Sequence, residues 1–222
     1  MKRSFVIVAA GTGARFGSNT PKQFQLLHGK PVLFYSVEKS VICSDEVIVV
    51  LPEEYLSHWK KLCDEFSFHL PHKITPGGVT RAESVRCGLL QIREEGVTAV
   101  HDAARPLATT KLINECFALA EKNGSAIPSL PLSDSLRMQE KHTSSAMDRN
   151  LFRTVQTPQC FHTKKIIDAY KNLPDTGFTD DASLFEAAGY TVFLVPGEET
   201  NIKITQPADM LIAETFLRHS IV

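Results

Sequence analysis

The run Val6-Ile7-Val8-Ala9-Ala10-Gly11-Thr12-Gly13-Ala14-Arg15-Phe16-Gly17, followed by Pro21-Lys22-Gln23, decides how this chain is read. Residues 4–10 are almost wholly apolar and partly β-branched, as in a short strand at the centre of a parallel sheet. Small residues and glycines then take over, with Arg15 and Lys22 close behind. Successive backbone N–H groups in a glycine-rich turn form an anion-binding concavity. Arg15 can fork onto phosphate oxygens, and Lys22 adds a compact charge. The pattern points to a phosphate chain bound at a strand end. Two common phosphate loops fit poorly. Phe16 stands where the third glycine of the dinucleotide fingerprint belongs, and there is no Gly-x-x-x-x-Gly-Lys-Ser/Thr.

Outward from this loop, strands and helices alternate. Gly29-Lys30-Pro31 opens a helix whose buried stripe is Leu33, Val37 and Val41, with Val32 beside it. A strand over 46–51 leads to a helix over 53–66 and a strand over 72–75. Thr80 and Glu83 have capping-box spacing, and Val85, Leu89 and Ile92 follow at helical spacing. A strand over 97–101, a helix over 110–123 stopped by Gly124, and a strand over 125–130 continue the series. The alternation breaks over 132–160. Period-two fragments flank a polar tip there, which predicts a β-arm or hairpin at about 132–157. Helices from Thr163 and Asp180, a strand over 191–195, a short strand over 202–204 and a helix from about Pro207 complete the chain. The expectation is one α/β domain over 1–222, a doubly wound, mostly parallel sheet with a protruding β-arm. Segments 11–17, 76–81 and 102–105 all fall at carboxyl ends of strands, where such sheets bind ligands.

Composition narrows the function classes. Among 222 residues, 24 basic side chains nearly balance 25 acidic ones, which argues against a nucleic-acid coat or a membrane-surface protein. The five cysteines are widely spaced and odd in number, so reduced thiols in a cytoplasmic setting are expected rather than disulfides or zinc. No apolar run is long enough to span a bilayer, and the one at the N-terminus is too short for a signal peptide.

Individual residues leave alternatives open. Asp102 is either a turn aspartate or a carboxylate that holds Mg²⁺ beside a polyphosphate. Gly77 and Gly78 either let a base lie against the backbone, with Ser84 as a polar contact, or simply form a turn. His101 reads as a structural histidine. Lys203 reads as facing away from Ile202 and Ile204 in a β fragment. Thr179-Asp180-Asp181 reads as a helix cap with acidic first-turn residues. With no Ser/His/Asp order and no metal-ligand cluster, hydrolase and zinc-enzyme chemistry is disfavoured.

Taken together, several segments resemble one family. These are Ala9-Ala10-Gly11-x-Gly13-x-Arg15-Phe16, Pro21-Lys22-Gln23, Gly77-Gly78-x-x-Arg81-x-x-Ser84-Val85, His101-Asp102-Ala103-Ala104-Arg105-Pro106, Asp148-Arg149, Gln156-Thr157-Pro158-Gln159, Thr179-Asp180-Asp181-Ala182-Ser183 and Asn201-Ile202-Lys203. In order and over nearly the whole chain, they are similar to the 2-C-methyl-D-erythritol 4-phosphate cytidylyltransferases. The resemblance implies a Rossmann-like nucleotidyltransferase that moves CMP from CTP to the phosphate of methylerythritol phosphate, with Mg²⁺, in the non-mevalonate isoprenoid route. It assigns Arg15, Lys22 and Lys203 to the reacting phosphates, and Ala10, Gly11, Gly78 and Ser84 to the cytidine side. Asp102 goes to the ribose or the metal, and Arg149 and Ser135 to the sugar phosphate. Ala9, Gly13, Arg81, Ala103, Arg105, Thr157 and Thr179 complete the substrate-binding set. The family's arm crosses to a partner subunit, so a homodimer with composite sites is implied. Val79 stands where members often carry Asp, and Ser135 where Thr is common. Ribitol-5-phosphate cytidylyltransferases share most of the nucleotide motifs. Transferases using UTP or GTP, or a non-catalytic nucleotide-binding module, are the further alternatives.

Overall fold

A computed structural model describes residues 1–11, 21–172 and 177–219. Strand β1 (Lys2–Val8) is followed by a 3-10 turn at Lys22–Phe24, the small ribbon β2 (Leu26–Leu27) and β3 (Lys30–Pro31), α1 (Val32–Cys43) and β4 (Glu46–Leu51). A 3-10 turn at Glu53–Tyr55, α2 (Leu56–Glu65), β5 (Lys73–Pro76), α3 (Arg81–Leu89), β6 (Gly96–Asp102), α4 (Thr110–Asn123) and β7 (Ser125–Pro131) come next. The hairpin β8 (Leu136–Glu140) and β9 (Thr143–Met147) precedes β10 (Arg153–Val155), β11 (Gln159–His162) and α5 (Thr163–Asn172). The chain closes through α6 (Asp181–Ala187), β12 (Leu194–Pro196) and α7 (Pro207–Arg218).

The main sheet has eight strands in the order β10-β7-β11-β6-β1-β4-β5, with β12 paired to β7. It is mixed. β1 runs parallel to β4 and β6, β4 to β5, and β12 to β7, while β11 and β10 are antiparallel to their neighbours. From β1 the chain adds β4 and β5 on one side, then returns to lay β6 on the other. The strand order therefore reverses at β1, and the space beyond the carboxyl ends of β1 and β6 is the switch-point crevice where such sheets bind ligands. Val8 lies opposite Asp102 in that register.

Both faces of β1 are covered, which is why its sequence reads as an unbroken apolar run. Phe5 and Ile7 enter a core with Leu33, Val49, Ala99 and Phe117. Val6 points the other way, into a core with Val50, Val85, Val100, Phe161 and Phe185. A third cluster, Leu27, Val32, Tyr35, Leu107, Ile204 and Ala213, fastens α7 to α1. The local signals hold at several helix ends. Thr80 Oγ1 accepts from the Glu83 N–H at 3.1 Å while Glu83 Oε2 accepts from the Thr80 N–H at 2.9 Å. Gly124 ends α4 at φ +96°.

Three expectations are corrected. The excursion does not run to residue 160, because β11 returns to the middle of the sheet between β6 and β7. It is four residues long, too short for periodicity to reveal, and its Cys160 and Phe161 go to opposite cores. Residues 202–204 form no strand. Their alternation arises because Ile204 is buried in the third cluster, and the Ile204 N–H donates to the Ala104 carbonyl at 2.8 Å instead of joining a ladder. The strand expected over 191–195 is shorter, at Leu194–Pro196.

Helix α3 rests on the sheet through Gly88. A Cβ there would lie 2.5 Å from Val6 Cγ1 and 2.9 Å from Val50 Cγ2. Overpacking costs about 1–3 kcal/mol, against roughly 1 kcal/mol gained in helix propensity. Gly88→Ala should therefore lower the unfolding free energy in urea. A more stable variant would contradict this close packing.

Candidate active site

The crevice is built first by backbone. Beyond β1, the Ala9 N–H still donates to the Val50 carbonyl at 2.8 Å, and the buried Gln23 side chain donates to the Ala9 carbonyl at 2.7 Å. Gln23 thereby stitches the turn Lys22–Phe24 to the strand end. Phe24 anchors that turn among Tyr55, His58 and Trp59. Lys22 is held on the crevice wall, its Nζ donating to the Ile204 carbonyl at 3.2 Å. Gly13 and Arg15 lie outside the described residues.

The turn after β5 closes against the residues just past β1. A Cβ on Gly77 would meet Ala10 Cβ at 2.7 Å and Ser84 Oγ at 2.8 Å, so only glycine permits the approach. Ser84 is buried. Its Oγ accepts from the Gly78 N–H at 3.2 Å and donates to the Thr80 carbonyl at 2.9 Å, so it shapes the turn from within. Val79 projects from the same turn, 99% exposed.

Asp102 forms the floor. It is only 8% exposed, yet one oxygen takes Arg81 Nε at 3.1 Å and the other takes Lys203 Nζ at 2.6 Å. Burial alone would raise its pKa, but Arg81, Lys203 and Arg105 outweigh that and hold the carboxyl well below its ordinary value. Arg81 in turn grips the fully buried Asp181 with both terminal nitrogens, at 3.0 and 2.7 Å.

Behind Asp102 stands a relay of neutral groups. The Asp102 N–H donates to Thr157 Oγ1 at 3.1 Å, and Thr157 Oγ1 lies 3.0 Å from His101 Nδ1. His101 Nε2 is 3.1 Å from the Arg105 carbonyl, which can only accept, so Nε2 carries the proton and Nδ1 accepts from Thr157. Burial brings the His101 pKa down to about 4, so the ring is neutral near pH 7.

Lys203 is placed without regular secondary structure. Gln156 Nε2 donates to the Glu198 carbonyl at 2.7 Å, and Asn201 Nδ2 donates to the Thr157 carbonyl at 3.0 Å. Arg105 Nη1 donates to the Asn201 carbonyl at 2.7 Å. Arg105 and Thr157 therefore stand behind the site and hold its parts together.

The resulting cavity measures about 410 Å³. Of the residues expected from sequence, Ala9, Ala10, Gly11, Lys22, Arg81, Ser84, Asp102, Ala103 and Lys203 line it, with Gly78 in the turn alongside. Arg149, Ser135 and Thr179 are exposed and outside its lining, and Arg149 donates to the Ser133 carbonyl. Sequence reasoning missed Thr205, which lines the cavity; Asp181 is the acidic first-turn residue expected, and its pairing with Arg81 is what the sequence did not reveal. Among the described residues no three His, Cys, Asp or Glu side chains cluster as a metal cage, and no helix is long and apolar enough to cross a membrane.

An open α/β sheet whose switch-point crevice gathers lysines around one buried carboxylate defines a phosphate-handling protein of the nucleotidyltransferase kind. The family described as 2-C-methyl-D-erythritol 4-phosphate cytidylyltransferase (IspD) matches residues 4–219. Proteins of that name from Porphyromonas gingivalis and Bacteroides thetaiotaomicron are each 40% identical to this chain. The alignments cover 97% of it and 98% of the first, and 98% of it and 100% of the second. The crystal structure of the Thermus thermophilus cytidylyltransferase is similar with a TM-score of 0.81 at 33% identity, covering 98% of this chain and 100% of that one. The chain belongs to the 2-C-methyl-D-erythritol 4-phosphate cytidylyltransferase family and is a cytidylyltransferase of the non-mevalonate isoprenoid pathway.

His101 makes stability depend on pH. Below the ordinary histidine value of 6.5 the unfolded chain takes up a proton that the folded ring refuses until about pH 4. Between pH 7 and about 4.5 this lowers the unfolding free energy by about 2 kcal/mol. His72, whose pKa is also lowered by burial, acts in the same direction. Urea unfolding at the two pH values should show a smaller loss in His101→Gln than in the parent; an equal loss would exclude His101 as a source.

Proposed function

We propose that CTP binds with its triphosphate between Lys22 and Lys203, and that CMP passes to the phosphate of 2-C-methyl-D-erythritol 4-phosphate. The observation that carries this reading is the convergence of Lys22, Lys203 and Asp102 at the switch-point crevice. An acceptor phosphate oxygen forms a bond to the α-phosphorus, and the bond from that phosphorus to the bridging oxygen breaks, releasing pyrophosphate. The attacking oxygen is already anionic, so no strong base is needed. The barrier lies in bringing anions together and stabilising charge on the α-phosphate, which fixed cations do by positioning and electrostatics. Lys203 exchanges Asp102 for a substrate phosphate, and Arg15 joins Lys22 there. The cytosine lies against Ala10, Gly11 and the Gly77–Gly78 turn, where Val79 offers it no carboxylate.

A single carboxylate facing a phosphate site suits Mg²⁺, which is commonly held by one or two carboxylates together with substrate phosphates and water. Asp102 would hold it. Bound there, it would supply neutralisation of the phosphate charge.

The acceptor residues Arg149 and Ser135 lie outside the cavity lining, and apolar side chains near them are exposed, Leu151 at 79% with Phe152, Val155 and Met138. Exposed apolar side chains concentrated in one excursion of the chain support an interaction site there. The part of 132–157 outside the main sheet, the β8–β9 hairpin and the turn at Arg149–Leu151, therefore serves as an arm that a second copy of the chain receives, each arm bringing Arg149 and Ser135 to its partner's crevice. Thr179 contributes to the same acceptor side. Five free thiols support a reducing, cytoplasmic setting.

Pyrophosphate release should be fastest with CTP, Mg²⁺ and 2-C-methyl-D-erythritol 4-phosphate in a panel of nucleotides and sugar phosphates. Preference for ribitol 5-phosphate would overturn the acceptor, and CTP binding without release would overturn the chemistry. Lys22→Ala should lower kcat by about 10²–10³ with a smaller change in KM, because its contact strengthens in the transition state. An unchanged kcat would remove Lys22 from the reaction. Heterodimers of Lys22→Ala and Arg149→Ala subunits should recover activity at one of their two sites; verified heterodimers without activity would exclude a shared site.

A further inference from the structure

Two buried side chains beneath the crevice take no part in the chemistry above. Asp181 opens α6, but Asp180 is that helix's cap, its Oδ1 accepting from the Ser183 N–H at 3.0 Å. The helix start is docked onto β11, where Gln159 donates to Asp180 Oδ2 at 2.8 Å and accepts from the Ala182 N–H at 3.0 Å. That docking aims Asp181 at Arg81. Tyr170 of α5, also buried, donates its hydroxyl to Asp181 Oδ1 at 2.5 Å.

A guanidinium fork matches a carboxylate through two parallel N–H groups. Without Asp181, the fork of Arg81 would be free to take both oxygens of its other carboxylate partner, Asp102. Asp181 occupies the fork instead, so Arg81 meets Asp102 through Nε alone and the second oxygen stays with Lys203. The charges also balance, with Arg81 and Lys203 set against Asp102 and Asp181.

We infer that Asp181 and Tyr170 are positioning residues of the reaction. Acting through Arg81, they hold its fork away from Asp102, so that Asp102 Oδ2 stays turned to the crevice where Lys203 meets it. The inference rests on the nucleotidyl transfer proposed for this crevice.

The test measures kcat and KM for CTP in the full chain, its Asp181→Asn, Tyr170→Phe and Asp102→Asn variants, and the two doubles with Asp102→Asn. Asp181→Asn should lower kcat about 10–100-fold, as loss of outer-shell partners commonly does, and Tyr170→Phe should act less strongly in the same direction. KM for CTP should not rise, because Asp181→Asn adds net positive charge beside the triphosphate. In the Asp102→Asn background each change should cost less than about threefold more, since residues acting through one another are not additive. A merely structural role would make the losses multiply there. Full multiplication, or kcat within about twofold of the parent in both single variants, overturns the inference. If Asp181→Asn does not fold, Tyr170→Phe and its double with Asp102→Asn decide it. An active parent with indifferent variants removes this inference alone, whereas a parent that releases no pyrophosphate removes the proposed transfer and this inference together.

Discussion

Asp102 is a carboxylate buried at the end of a sheet strand, and its charge can remain there only because cations are held against it. Removing a carboxylate from water costs several kcal/mol after relaxation, and an unpaired one would instead take up a proton. Arg81 and Lys203 meet that cost from two sides. The surrounding architecture fixes their approach. Arg81 is the first residue of α3, set in place by the Thr80–Glu83 cap, while Lys203 hangs on a loop pinned through Gln156, Thr157 and Arg105. The same cations that keep Asp102 ionised present positive charge to a ligand at the mouth of the crevice.

This arrangement explains why the site needs both regular and irregular backbone. Strands β1 and β6 bring Val8 and Asp102 side by side, and the parallel register points their carboxyl ends the same way. Lysines cannot be carried there by strands already buried on both faces. They come from the turn at Lys22–Phe24 and from the segment before α7, each tied down by side-chain bonds to backbone carbonyls. Ile204 connects the two: its carbonyl accepts from Lys22, its N–H donates to Ala104, and its side chain is buried under α7. A change in that segment would thus be felt at both lysines.

Much of this was legible in the sequence wherever the signal is local. β1, α1, the Thr80–Glu83 cap and the Gly124 stop are each specified by residues within a few positions. That Gly11, Arg81 and Asp102, each at or just past a strand end, share one crevice was legible for the same reason. What stayed hidden depends on partners distant in the chain. β11 is a strand because β6 and β7 flank it, not because its own few residues favour it. The alternation around Lys203 imitates a strand, although one buried isoleucine produces it. Asp181 has the sequence context of a helix-start acid, and only the fold brings Arg81 to it. Arg105 and Thr157 look like ligand contacts by motif, yet their bonds run to backbone and to one another's neighbours.

The account is tested most directly by a crystal structure of the chain with CTP and Mg²⁺. It predicts the triphosphate lying across the switch-point crevice, with Lys22 on a phosphate and Lys203 moved from Asp102 Oδ2 to a phosphate oxygen. CTP bound outside that crevice, or bound within it while Lys203 remains on Asp102 and Lys22 touches no phosphate, would contradict it.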